Sequence, residues 1–213
     1  MSPSSIPQCA RRPRRSLAAG IVAALVLIAC SSDDGANDGL AGFVREPMPR
    51  VDQVALPDLS AGGEDFVLRA PPSELLAVYF GFTNCPDICP TTLSDLRSAI
   101  RRLPESDQDL VSLAMISVDP DRDAENLVDY THTFIPDGHA LLTTDQSTLR
   151  AAAEPFGVSY QVSVDDDGSV DVAHSTQLFL VDDTGSLLLT WQFGISADDI
   201  ASDLAIMLDR QRI

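Results

Sequence analysis

The 213 residues, 45% of them apolar, suffice for a targeting segment and one packed domain of ordinary size. Fourteen basic residues, all arginine, stand against 32 acids, a formal net charge of −18. That balance excludes capture of nucleic acid or of an anionic lipid surface by charge.

Residues 1–29 read as an export signal. Arg11, Arg12, Arg14 and Arg15 make its positive start, and residues 17–29 are apolar throughout. That run falls short of the ~20 residues of a membrane span and suits the apolar middle of a secretion signal. It ends Leu27-Ile28-Ala29-Cys30, which resembles the lipobox of bacterial lipoproteins, where the cysteine is lipidated and becomes the first residue. An uncleaved anchor and an ordinary secretory signal are the alternatives. All three put the domain outside the cytoplasm. Cleavage before Cys30 removes four arginines and no acid, which takes the net charge to −22. Cys9 leaves with the signal, so with Cys30 lipidated the domain keeps only Cys85 and Cys89 as thiols.

Residues 30–50 read as a flexible tether and residues 51–213 as one domain. Residues 51–68 are short apolar runs broken by Pro57 and Gly62-Gly63, which predicts a β-hairpin at a sheet edge. Residues 75–80 form a continuous apolar strand of the kind buried on both faces. A turn at Pro86-Asp87 follows, then a helix over 91–103 with Pro90 at its first position. A second buried strand runs over 110–118, a helix over 123–133 and a short strand at 141–142. A helix over 146–156 is stopped by Gly157, and residues 158–164 are extended up to a turn at 165–168. A strand over 176–181 turns at 182–185 into a partner over 186–193, and an amphipathic helix over 197–208 closes the chain. The order predicts an α/β sandwich. Its strand, cysteine turn and helix resemble the thioredoxin arrangement, with the hairpin as an N-terminal extension.

Cys85 and Cys89 therefore sit where a strand gives way to a helix, whose free N–H groups and partial positive charge favour thiolate. Two thiolates suit Cu(I) or zinc, and a metal needs at least one more ligand. His132 lies in a polar helix and reads as solvated. His139 lies in a loop beside Gly138. His174 stands just before the strand at 176–181, near the cysteine turn in a sheet of this kind. With His174 the set is three-coordinate and open, matched to Cu(I), whereas structural zinc takes a fourth protein ligand. Other readings stay open. His174 caps a strand in one. In another the cysteines form a structural disulfide, which stabilises little over so short a loop. In a third they are a catalytic redox pair.

Several blocks now carry a resemblance. Phe80-Gly81-Phe82-Thr83-Asn84-Cys85-Pro86-Asp87-Ile88-Cys89-Pro90, Ser117-Val118-Asp119-Pro120-Asp121-Arg122-Asp123, Phe156-Gly157-Val158 with Tyr160, and His174-Ser175 with Phe179-Leu180-Val181-Asp182 resemble, in order, the motifs of the Sco/SenC proteins. These are thioredoxin-fold copper proteins of cytochrome c oxidase assembly. The resemblance implies Cys85, Cys89 and His174 as ligands of copper, Cu(I) with Cu(II) as the alternative, and Asp119 as an acidic residue near the site. A strand-end turn made with Pro120 is the other reading of Asp119. It further implies a metallochaperone for the binuclear copper A centre, with a copper donor protein and the oxidase subunit as partners. The alternative is a thiol–disulfide oxidoreductase acting through Cys85 and Cys89. With the lipobox, the expected place is the outer side of a bacterial cell membrane, anchored through Cys30. Asn84 departs from the histidine of many members, and Ala124-Glu125 from their Thr-Pro. Neither is a ligand position.

Overall fold

The computed structural model describes residues 39–212. The export signal, Cys30 and the tether before residue 39 lie outside the described residues. Strands β1 (Ala55–Asp58) and β2 (Glu64–Val67) form the expected hairpin. β3 (Leu75–Gly81) leads into α1 (Ile88–Ile100), and α2 (Glu105–Gln108) precedes β4 (Val111–Ser117). Two short helices, α3 (Pro120–Asp123) and α4 (Leu127–Phe134), precede β5 (His139–Leu141). After α5 (Gln146–Ala153) come β6 (Tyr160–Val164), β7 (Val170–His174), β8 (Leu178–Val181), β9 (Leu187–Trp191) and α6 (Ala197–Gln211).

Seven strands make one sheet in the order β2-β1-β5-β4-β3-β8-β9, and β6-β7 stand apart as a two-stranded ribbon. All seven residues of β3 are buried, which is why its sequence shows no polar alternation. It runs parallel to β4, pairing Leu75 with Val111 through to Gly81 with Ser117, and antiparallel to β8. The C-terminal ends of β3 and β4 thus share one edge of the sheet, from which the chain enters α1 and α3. Phe156 stacks edge-on against Phe80 and Phe179, with centroids 5.3 and 5.0 Å away, in the core beneath. The α/β thioredoxin-like sandwich with its hairpin extension is the expected fold.

Four details differ from the sequence reading. α1 begins three residues early, at Ile88. Pro90 then sits third in the helix, still among the four N–H positions without an intrahelical acceptor, so its missing donor costs nothing. The helix expected over 123–133 is two, because the Asp123 carboxylate turns inward to Thr83 and Ser117. β7 was not expected at all. Finally, the tether expected to reach residue 50 is laid against the fold from residue 39. Phe43 exchanges backbone hydrogen bonds with Thr190, and the Val51 N–H donates to the Gly185 carbonyl. The Asp203 carboxylate, 1% exposed, accepts from Ala41 N–H, Gly42 N–H and Trp191 Nε1–H at 2.9, 2.8 and 2.8 Å. Gly42 has no alternative here, since a Cβ on it would lie 2.8 Å from Trp191 Nε1.

Candidate metal centre

β3 ends at Gly81, and the loop to α1 carries Cys85, while Cys89 is the second residue of α1. His174 arrives from the other side as the last residue of β7, paired with Tyr160. One ligand atom from each of Cys85, Cys89 and His174 lies within 4.8 Å of the others. Both cysteines are free thiols. The Cys89 N–H donates to Cys85 Sγ at 3.3 Å, so an orphan N–H of the helix start is satisfied by sulfur.

His174 is held in one tautomer. Its Nδ1–H donates to the Ser175 carbonyl at 2.8 Å, which leaves the Nε2 lone pair facing Cys89 Sγ at 3.7 Å. Burial pushes its pKa below the usual imidazole range, so the ring is neutral and able to ligate at pH 7. Phe82 and Tyr79 pack edge-on to it at 5.6 and 6.3 Å. The expected thiolate is overruled at one sulfur. Burial, ahead of the neighbouring Cys85, pushes the Cys89 thiol up to about 12. The helix start favours thiolate, but desolvation of a side chain with no exposed surface is the larger effect. A soft cation would reverse the balance by replacing that proton.

The other histidines stand elsewhere. His132 Nε2 faces the Gly138 carbonyl at 3.1 Å. His139 opens β5 and pairs through Nδ1 with the buried Asp58 carboxylate at 2.7 Å. Asp119, almost fully buried, ion-pairs with Arg122 and is not among the clustered ligand atoms.

Three residues around the centre were not singled out from the sequence. Asp123, fully buried, accepts from Thr83 N–H at 3.0 Å, Thr83 Oγ1 at 2.7 Å and Ser117 Oγ at 2.6 Å. It ties the cysteine loop to the end of β4. Burial raises its pKa, against those hydrogen bonds. Tyr79 and Tyr130 each hold a buried hydroxyl with no hydrogen-bond partner. Tyr79 lies two residues before Gly81 in β3, and its place inside the buried run was the only available signal. Gly81 is a close approach: a Cβ there would lie 2.7 Å from Tyr79 Cε1 and 3.1 Å from Cys89 Sγ.

The sequence profile of the family described as SCO1/SenC matches residues 60–209. A SCO2-like protein of Rickettsia prowazekii is 33% identical over 145 residues, 67% of this chain and 70% of that one. Apo Sco1 from Thermus thermophilus is 31% identical, with a TM-score of 0.65 over 79% of this chain and 96% of that one. Bradyrhizobium japonicum ScoI, solved with copper bound, is 25% identical, with a TM-score of 0.60 over 72% and 96%.

Proposed function

This chain belongs to the SCO1/SenC family, and from that premise we propose that it is an extracytoplasmic copper metallochaperone. It takes up one copper ion through Cys85, Cys89 and His174 and passes it to the binuclear copper A centre of cytochrome c oxidase. The observation that carries the reading is the donor set: two sulfurs and one preset imidazole nitrogen, all within 4.8 Å. Soft sulfur ligands suit Cu(I). The copper-bound relative with the same architecture supports the choice.

Uptake follows from the side chains. The Nε2 of His174 faces Cys89 Sγ once Nδ1–H is held by Ser175. Cys89 and Cys85 each give up the thiol proton to water as their sulfurs take the metal. Cys85, at 9% exposure, sits at the limit of burial, whereas Cys89 has none. A partner's ligands therefore meet Cys85 first. Three ligands leave copper an open position for exchange. Lipidation of Cys30 holds the domain on the outer face of the bacterial membrane, beside its acceptor.

A second reading has one observation in its favour. Two free thiols lie side by side, with a helix N–H already donating to Cys85 Sγ. That arrangement suits a dithiol that reduces cysteines of the oxidase subunit. A pure reductase has no need of a preset imidazole. In the host at low copper, His174→Ala is expected to lose oxidase activity, recover part of it on added copper, and keep a reversible Cys85–Cys89 disulfide. Cys85→Ser is expected to lose everything. Normal oxidase assembly in His174→Ala beside failure in Cys85→Ser would make the reductase the right reading.

A further inference from the structure

We infer that Tyr79 is a positioning residue of the centre, its hydroxyl donating a hydrogen bond to the Cys89 sulfur once that sulfur carries copper. The inference rests on the copper reading above. Tyr79 is fully buried in the middle of β3. Its hydroxyl makes no well-formed hydrogen bond, although Cys89 and Thr92 lie within its reach, and a buried hydroxyl left in that state is costly. Phenylalanine would fill the same volume without that cost, as Phe80 does in the next position. The hydroxyl therefore answers to something other than packing in the metal-free domain.

The surroundings say what. The ring edge and Cys89 Sγ meet at Gly81, where a Cβ would lie 2.7 Å from Tyr79 Cε1 and 3.1 Å from Cys89 Sγ. The same ring stands edge-on to His174 at 6.3 Å. Tyr79 thus touches the space between two of the three ligands. A neutral thiol is a weak acceptor. A metal-bound sulfur carries negative charge and is a good one, since hydrogen bonds to charged groups are about twice as strong as neutral ones. The donor meets only weak acceptors in the empty site and a charged sulfur in the loaded one, so most of its contribution appears as affinity. Partners of this outer kind typically change metal affinity 10–100-fold.

Tyr130 supplies the control. Its hydroxyl is also buried and unpartnered, but it lies on α4 and feels the cysteines only through charge, without a hydrogen bond to either. Tyr79→Phe and Tyr130→Phe, in the otherwise intact chain, are to be compared by competition with a chromophoric Cu(I) chelator and by thermal melting without metal. For Tyr79→Phe we expect about tenfold weaker Cu(I) binding and a metal-free Tm equal to or above wild type. The sulfur-to-copper charge-transfer band of the Cu(II) form should also shift. For Tyr130→Phe we expect unchanged affinity. Unchanged Cu(I) affinity and an unmoved band in Tyr79→Phe overturn the inference while the copper reading stands. Should Tyr79→Phe fail to fold, the wild-type hydroxyl proton decides by NMR. It should become slowly exchanging and shift on Cu(I) loading, and a hydroxyl proton indifferent to loading refutes the role. If wild type does not bind Cu(I) through sulfur, the copper reading fails, and this inference with it.

Discussion

The Asp203 carboxylate is fully matched to its donors: three N–H groups, all between 2.8 and 2.9 Å. Around Cys85, Cys89 and His174 the accounts are open. A thiol is held protonated by burial, a lone pair faces it at 3.7 Å, and two tyrosine hydroxyls nearby have no partner. Both clusters join segments far apart in the chain, and the core of each, Asp203 and Cys89, is buried. The difference separates holding from binding. A satisfied network makes the N-terminal segment part of the fold, and an unsatisfied one stores affinity for whatever completes it.

The largest expected effect lies on the satisfied side. Asp203→Ala strands the Trp191 N–H and two backbone N–H groups, and should cost roughly 3–5 kcal/mol in denaturant unfolding. Under native conditions its Cu(I) affinity should equal wild type. A variant that keeps its stability and loses copper would break the comparison.

A smaller effect sharpens the unsatisfied side. The Cys89 pKa is about 12 in the folded domain and 9.0 as a reference. The folded state therefore holds that proton more tightly, and this contribution to stability, complete below pH 9, is lost as pH rises toward 12. For His174 the folded pKa is lowered from 6.5. Its contribution is complete above pH 6.5 and is lost as pH falls through the folded value. The metal-free domain should thus weaken on both sides, and Cys89→Ser should remove the alkaline part of the slope. Copper affinity should rise with pH, because binding displaces the Cys89 proton. Stability curves from pH 5 to 11, with and without Cu(I), check both signs.

Much of this could be read from the chain. β3 was legible because seven apolar residues in a row leave no solvent face, and the cysteine turn because proline, aspartate and a helical period follow one another at once. The clustering of Cys85, Cys89 and His174 was foreseeable from the strand order and the motif blocks. β7 was not recognised, although Val170 and Val172 alternate with Asp171 and Ala173 after a turn. Four residues of alternation past an acidic run look like loop unless their partner strand is known. The packing of residues 39–50 was illegible for a different reason: it depends on Asp203, whose burial at the far end of the chain no local pattern announces. The raised pKa of Cys89 was misjudged because a helix start is visible in sequence and the depth of burial is not.

The central claim is that Cys85, Cys89 and His174 together hold one soft metal ion. Copper K-edge X-ray absorption on the reduced domain, loaded with one equivalent of Cu(I), tests it most directly. The account predicts two sulfurs and one nitrogen around each copper, with the nitrogen lost in His174→Ala. Copper coordinated without sulfur, or Cu(I) displaced by zinc at equal concentration, would contradict it.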